Sequence, residues 1–209
     1  MQPLGTIRRI APGALSALLA LSALLAIGAV GAAAAGHKIV SGTATLAWDP
    51  GTYSQMTQHG ATLTPKKPAT SAAIAAPGGV TFPVSGGKLK SKNGSLSGRV
   101  KLKGGLHLSG GTGGLSGGTG GLTFTKAAVV VGSTGKLNGV VSIIGAKTVA
   151  TISFSTPPMA TLTSGAMVTI NQAVLMLTAS SAADLDALYG TNFTAGTVLG
   201  KASLTVKVR

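Results

Sequence analysis

The stretch TINQAVLMLTASSAADLDALYGTNFTAGTVLGKASLTVKV, from Thr169 to Val208, decides the fold of this chain. Its opening run is apolar and tolerant of β structure, which predicts a strand. The pair Ser180-Ser181 then offers a helix N-cap, and Gly190 is typical of a helix C-terminus. The pattern predicts a strand, a short helix over Ala182–Tyr189, a loop and a terminal strand.

The rest of the chain continues in short alternating runs separated by glycine pairs and an Asn-Gly turn, a pattern typical of antiparallel strands. The predicted strands are Ser41–Leu46, Val80–Val84, Lys88–Lys92, Leu96–Lys103, Leu106–Ser109, Leu122–Val131, Leu137–Ile144, Thr148–Phe154, Val168–Thr178 and Val198–Val208. A second short helix is predicted after Asp49-Pro50, because proline is tolerated at the first helical position. Pro65–Pro77 is interpreted as a loop. These elements predict a mainly β fold, an antiparallel β-sandwich or open barrel with two short helices.

The N-terminus has the order of a secretory signal peptide. Arg8 and Arg9 precede an apolar run over Ala14–Val30, and the small-residue stretch GAAAAG follows. We expect cleavage after Ala35, which leaves a single β domain over 36–209 and a secreted or cell-envelope location. The alternative is an uncleaved anchor, and a membrane is expected as a partner only in that case. The chain has no cysteine, which excludes disulfides and a lipid-modified cysteine.

The predicted mature domain is strongly basic. It keeps 15 of the 17 basic residues and all three acidic ones, so its formal charge is +12. Such a protein outside the cytosol will meet anionic polymers of the wall or envelope, phospholipid headgroups or an acidic ligand. Nucleic acid is not expected as a partner, because one Trp, two Tyr and four Phe leave few side chains to stack on bases and no nucleic-acid module is recognised.

Six cations alternate along two neighbouring predicted strands. Asn93-Gly94 between them indicates a type I′ hairpin, which places Lys88 opposite Arg99. The whole set then projects from one face: Lys88, Lys90, Lys92, Arg99, Lys101 and Lys103. Like charges directly opposed destabilise a sheet, so one interpretation is an anion-binding face. The other is a solvated outer face whose lysines prevent aggregation through the sheet edge.

Four stretches resemble a known family. Phe193–Thr197 reads FTAGT, Phe82–Leu89 reads FPVSGGKL, Gly98–Ser109 contains a glycine pair, and Ala44–Pro65 has the order of a strand, a short helix and a proline. Over about 44–208 the chain resembles the HtaA-domain family of bacterial, actinobacterial, secreted or cell-envelope proteins. These motifs are spaced structural residues, and none of them is a catalytic signature.

The resemblance implies haem binding at the cell surface, with a tyrosine phenolate as the axial ligand and basic residues for the propionates. The haem-binding modules of the family carry the pattern W-x-V-x-x-S-F-x-x-Y. Here Trp48 and Tyr53 are five residues apart rather than nine, and the Ser-Phe pair is missing. Tyr53 is the first candidate ligand, with His59 and Met56 nearby, and His107 and Tyr189 are second choices. The alternative for Tyr53 is a helix residue that simply packs on the sheet.

The sequence contains little material for catalysis. Three carboxylates, three histidines and no cysteine must supply any acid, base or nucleophile, and no metal-ligand spacing is present. Asp184 and Asp186 are two residues apart on the predicted helix, so they point to different faces and are interpreted as partners of the helix dipole. We therefore predict that the protein is not an enzyme.

The motif GGTGGL occurs twice, at 110–115 and 117–122. It lacks the third glycine of a dinucleotide-binding loop, and Gly135-Lys136 lacks the Ser/Thr of a P-loop. We interpret the repeat as a flexible hairpin loop. Two functional hypotheses remain, a surface haem-binding protein and a structural or adhesive module that binds anionic cell-wall polymers through its basic face.

Overall fold

Antiparallel strands form most of the fold. The structure is a computed structural model, and it describes residues 36–72, 77–110, 122–132, 135–141, 145–153 and 162–209. The strands are β1 His37–Trp48, β2 Thr62–Lys66, β3 Thr70–Ala72, β4 Gly79–Lys92, β5 Ser95–Leu102, β6 Gly105–Ser109, β7 Leu122–Val131, β8 Gly135–Val141, β9 Gly145–Ser153, β10 Met167–Leu177 and β11 Val198–Val208. The helices are α1 Pro50–Gln58 and α2 Ala179–Tyr189. The predicted signal peptide, and nearly all of the GGTGGL repeat, lie outside the described residues.

Eight of the strands close into a barrel, in the order β7-β5-β4-β1-β11-β10-β9-β8, and the pairing of β8 with β7 completes the ring. β6 and then β2 extend the sheet from the first half of β7, while β3 pairs with the start of β4. The predicted mainly β antiparallel fold with two short helices is therefore confirmed, and of the two predicted architectures the barrel forms, in closed form.

The interpretation of Pro65–Pro77 as a loop is wrong in part. β2 runs to Lys66 and β3 covers Thr70–Ala72, with a tight turn between them. Both strands are short and add to the sheet outside the ring. Their stabilisation comes from pairing with β6 and β4, which no local pattern in a Pro- and Lys-rich stretch indicates.

Local capping residues set the ends of both helices. The Asp49 carboxylate accepts a hydrogen bond from the amide of Thr52 at 3.0 Å, and Pro50 takes the first helical position of α1, as predicted. Gly190 ends α2 with φ 68°, also as predicted. The N-cap of α2 is Thr178, whose hydroxyl accepts from the amide of Ser181 at 3.2 Å, so the serine pair lies inside the helix.

This earlier start corrects the expected role of the acidic residues of α2. The first turn of the helix contains no acidic side chain. Asp186 instead accepts hydrogen bonds from the Thr191 hydroxyl and the Phe193 amide, both at 2.7 Å. Its carboxylate therefore ties the loop after α2 back onto the helix and does not act on the dipole at the N-terminus.

The two ends of the barrel differ in packing. Both helices lie at one end of the barrel. The last residue of β1, Trp48, leads into α1 and pairs with Gly200 near the start of β11. Because α2 directly precedes β11 in the chain, it lies at the same end. We call this the helix end. The opposite, closed end is filled by branched side chains exposed by 2 % or less: Ile39, Leu89, Leu96, Val131, Val206 and Val208.

Two glycines allow close approach of β4 and β5 at the closed end. Gly87 has φ 137° and Gly98 has φ 147°, and they flank the cross-strand pair Lys88–Arg99. A Cβ atom on Gly87 would collide with the carbonyl oxygen of Arg99, and one on Gly98 with that of Lys88. The paired glycines of the sequence are therefore a requirement of the hairpin backbone.

We predict that Gly98→Ala lowers the free energy of unfolding by roughly 2 kcal/mol or more, since it adds a strained positive φ to a backbone collision. Gly36→Ala is the matched control, because its Cβ would meet only the Lys90 side chain at 3.6 Å. Urea unfolding of the two variants checks this. Equal stability of both variants would contradict the role given to the glycine.

Candidate functional site

A groove of about 270 Å³ lies beside α1 at the helix end. Tyr53 is half-buried on its wall, next to the indole of Trp48. The remaining walls come from β2, β3 and the start of β4: Leu63, Pro65, Ser71, Ala72, Pro77, Gly78, Gly79 and Val80. The structure thus places the first candidate ligand in an accessible groove whose surface is more polar than apolar.

The buried face of α1 sets the direction of Tyr53. Thr52 and Met56, four residues apart, are 5 % and 1 % exposed and therefore share the face that packs on the barrel. The Thr52 hydroxyl donates to the carbonyl oxygen of Val198, which fixes the helix against β11. Tyr53 follows Thr52 by about 100° around the helix, so its half-buried ring packs against the margin of the core and also lines the groove.

The nine-residue spacing of the family pattern ends at Thr57 in this chain. Thr57 is exposed, and its hydroxyl donates to the carbonyl oxygen of Tyr53 at 3.0 Å. Residues four apart lie on one side of a helix. The phenol of Tyr53 is therefore presented one helical turn before the position that the pattern would use, on the same side of α1.

The two candidate histidines do not join Tyr53. His59 is the C-cap of α1, and a Cβ built on Gly190 would lie 3.7 Å from its Nδ1, so its ring lies beside the end of α2. His107 sits on β6, with Nδ1 2.9 Å from the Thr123 hydroxyl. Its neighbours Leu106 and Leu108 are buried.

Strand alternation places His107 on the far side of the sheet from the groove. Leu63, a groove residue on β2, is paired with Leu108, so it shares the face opposite to His107. The structure therefore separates Tyr53, His59 and His107 into three environments, and only Tyr53 lies in the groove.

The second tyrosine, Tyr189, belongs to the core. It is 1 % exposed, and its hydroxyl donates to the carbonyl oxygen of Leu108 at 3.1 Å. Burial raises the pKa of this phenol above its usual 10.0, and a backbone hydrogen bond with Leu122 opposes the rise in smaller part. A protonated, buried and hydrogen-bonded phenol is a structural group and is not presented to a ligand.

The basic hairpin forms with the predicted register. Asn93 and Gly94 both have positive φ, 51° and 78°, and Lys88 pairs with Arg99. All six of its cations are exposed. The alternating residues of these strands, among them Leu89 and Leu96, are buried inside the barrel.

The row of cations continues across strands distant in sequence. Lys38 pairs with Lys88, and Lys38 and Arg209 exchange two backbone hydrogen bonds of 2.8 and 2.9 Å. On the other side Arg99 pairs with Val130, which pairs with Lys136. We call the exposed set Arg209, Lys38, Lys88, Arg99 and Lys136 the cationic belt. Adjacent strands lie about 4.8 Å apart, so these charges are closely spaced around the closed end.

The three acidic residues lie at the other end of the barrel. Asp49 caps α1, and Asp184 and Asp186 are on α2. Within the described residues the carboxylates therefore lie at the helix end and the belt lies at the closed end. The cations of the belt have no carboxylate on their own strands within the described part of the chain.

A separate cavity of about 140 Å³ lies inside the barrel at the helix end. Its walls are mostly apolar side chains from the strands and both helices, and its polar lining residues are Thr45, Ser181, Asp184 and Ser203. Trp48 and Leu63 line both this cavity and the groove.

No three His, Asp or Glu side chains among the described residues are grouped so that they would hold a metal ion. In the same ranges no helix has the length and apolar character needed to cross a bilayer.

Solved structures provide the decisive comparison. The C-terminal domain of HtaA from Corynebacterium glutamicum superposes with a TM-score of 0.58 over 83 % of this chain and 99 % of that domain, at 15 % identity. The chain has the HtaA fold. The N-terminal domain of the same HtaA matches with a TM-score of 0.54 and 12 % identity, over 82 % of this chain and 98 % of that one. The family resemblance of the motifs is thus confirmed at the level of the fold.

A third solved structure with this fold is that of a heme binding protein. The heme binding protein HtaB from Corynebacterium glutamicum matches with a TM-score of 0.52 and 18 % identity, over 84 % of this chain and 96 % of HtaB. No protein-family model and no curated protein matches the sequence. At these identities the likeness is one of fold.

We predict that the buried phenol makes stability pH-dependent in alkali. Because burial raises the folded-state pKa of Tyr189, its contribution is fully present below pH 10.0 and is lost as the pH rises through that raised pKa. Tyr189→Phe should cost about 1 kcal/mol at neutral pH through the lost hydrogen bond. The difference in unfolding free energy between wild type and variant should then shrink above pH 10, as measured by urea titration. A difference independent of pH would contradict the assignment.

Proposed function

We propose that this HtaA-fold protein is a secreted or cell-envelope protein without catalytic activity that binds ferric haem, with the phenolate of Tyr53 as axial ligand. The observation that carries the proposal is the position of Tyr53, half-buried beside Trp48 in the groove along α1. Phenolate is an established axial ligand of haem iron, and Trp48 and Leu63 would give the porphyrin apolar contacts in the groove. The heme binding of the HtaB neighbour supports the choice of ligand.

The surroundings of the groove suit a haem bound at its surface. The groove, at about 270 Å³, is larger than the interior cavity of about 140 Å³ and comes closer to the roughly 300 Å³ at which pockets for drug-sized ligands begin, so the porphyrin is expected in the groove. Lys66 directly follows Pro65, a groove residue, and both Lys66 and Lys67 are exposed. These two ammonium groups are the nearest candidates in sequence to pair with the propionates.

Hemin titration of the purified protein tests the proposal. We expect a saturable Soret shift with one site, weakened at least about tenfold by Tyr53→Phe because the iron loses its axial ligand. His59→Gln and His107→Gln are the matched controls, since each removes another candidate ligand while Tyr53 stays in place. A shift that survives Tyr53→Phe and is lost in either histidine variant would overturn the ligand assignment, and no saturable shift would overturn the function.

A second variant uses the spacing of α1. Thr57→Tyr in the Tyr53→Phe background moves the phenol one helical turn along the same side of the helix, to the nine-residue spacing of the family pattern. We expect this double variant to recover part of the Soret shift, since the other residues that line the groove are unchanged. If the double variant recovers the shift, the loss in Tyr53→Phe is not caused by unfolding. Recovery would then identify the α1 side of the groove as the haem site.

A second candidate function is favoured by the cationic belt. We propose that the closed end binds anionic polymers of the cell wall or envelope, because the belt concentrates like charge that destabilises the sheet unless counter-ions or an anion neutralise it. The belt draws on strands β1, β4, β5, β8 and the residue after β11. Protection of a sheet edge does not account for these positions, because the strands are paired on both sides in a closed barrel.

We expect retention on purified cell wall to fall steeply between about 0.1 M and 1 M salt, where the Debye length drops from about 10 to about 3 Å. Replacing Lys38, Lys88 and Arg99 by Gln should abolish retention at low salt. The matched control changes three cations outside the belt, Lys66, Lys67 and Lys201, to Gln with the same loss of charge. Equal effects of the two triple variants, or retention that persists in high salt, would rule out the belt as the binding surface.

A further inference from the structure

The interior of the barrel is divided into a filled and an unfilled half. An eight-stranded barrel has an interior that is either just filled by side chains or holds one small ligand. At the closed end the inward positions carry Val, Leu and Ile, and they are packed. At the helix end several inward positions are alanines, and these line the cavity: Ala44, Ala127, Ala173 and Ala202. The small side chains leave the space of about 140 Å³ open.

The apolar part of the cavity suits a hydrocarbon. A cavity of about 150 Å³ lined by Leu, Ile and Phe stays dry and takes up benzene or xenon. Leu46, Leu175 and Ile170 give this cavity the same character. Among the described residues no buried side-chain polar atom lacks a hydrogen-bond partner, so the interior contains no polar group that a ligand must satisfy. An entering hydrocarbon would gain the dispersion contacts that the wall atoms now lack.

One polar part of the cavity lining is formed by α2. Ser181 is 4 % exposed and its hydroxyl accepts a hydrogen bond from the Thr178 hydroxyl at 3.0 Å, while Asp184 is half-buried one helical turn further on. A carboxyl group at this position disfavours an anionic head group through like-charge repulsion and favours a hydroxyl, which donates to an oxygen acceptor. The head of a ligand whose tail fills the cavity would meet these two residues.

We propose that the helix end of the barrel is a second binding site, for the apolar tail of a neutral, hydroxyl-headed lipid or alcohol. The tail, about six carbon atoms of it, occupies the alanine-lined cavity, and the hydroxyl lies against Ser181 and Asp184. This site differs from the groove of Tyr53 in its lining, since Ser181 and Asp184 line only the cavity and Tyr53 lines only the groove.

The single tryptophan makes the site measurable. Trp48 is 8 % exposed and lines the cavity, so its fluorescence reports occupation. Titration of the purified protein with 1-hexanol should give a saturable change, and hexanoate should bind at least about tenfold more weakly. Asp184→Asn should narrow that difference to less than about threefold, since it removes the repulsion of the carboxylate. Tyr53→Phe should leave hexanol binding unchanged, which distinguishes this site from the haem proposal.

Filling the cavity provides the structural control. Ala173→Leu places a larger side chain in it and should weaken hexanol binding at least about tenfold. Ala183→Leu, the same change at an exposed position of α2, should have no effect. Equal hexanol affinity in wild type and a folded Ala173→Leu variant would overturn the proposal.

A measurement on the wild-type protein keeps the test independent of variants. Under xenon pressure the methyl NMR signals of Leu46 and Leu175, which line the cavity, should shift, while those of Leu89 and Leu96 in the closed end should not. Uniform or absent shifts, or a hexanol response that does not saturate, would show that the helix end holds no such site.

Discussion

The antiparallel ladder between β1 and β11 joins the first described strand to the last, and the surfaces of the molecule depend on it. Residues 39–48 of β1 pair with residues 200–208 of β11, so the two parts of the barrel that are farthest apart in sequence become neighbours. This pairing brings α1 and α2 to the same end. It also sets Lys38 beside Arg209 at the other end, which starts the cationic belt.

The resulting barrel is asymmetric along its axis in three respects. Its closed end is packed with branched side chains, whereas alanines leave space at the helix end. Its carboxylates lie on or beside the helices, and the belt lies at the closed end. Both proposed ligand sites for apolar groups are at the helix end, so a polymer held at the closed end would leave them accessible.

The HtaA fold by itself does not specify which ligand this protein binds. An HtaA fold specifies the barrel and its two helices, while haem binding requires a ligand atom in a suitable place. Tyr53 supplies a phenol in the groove, one helical turn before the position of the family pattern, which Thr57 occupies. The histidines illustrate the same point, since β-strand alternation turns His107 away from the groove and the end of α1 directs His59 toward Gly190.

The sequence alone determined what depends on near neighbours in the chain. The Asn93-Gly94 turn set the register of Lys88 with Arg99, because a two-residue turn with two positive φ angles allows only one register between the two strands. Pro50 and Gly190 located two helix ends for similarly local reasons. The N-cap of α2 was assigned wrongly to the serine pair, since Thr178 has an equivalent hydroxyl and the pairing of β10 decided where the strand stops.

Tertiary structure decided everything that requires strands distant in sequence to meet. Closure of the barrel, the addition of β2 and β3 to the sheet and the extension of the belt to Lys38, Arg209 and Lys136 follow from long-range registers. The cavity likewise appears only when alanines from separate strands face one another. Side-chain periodicity indicates which residues point inward, but it does not indicate which residues of different strands lie at the same height along the barrel axis. Residues that share a height form the cavity on the inside and the row of charges on the outside.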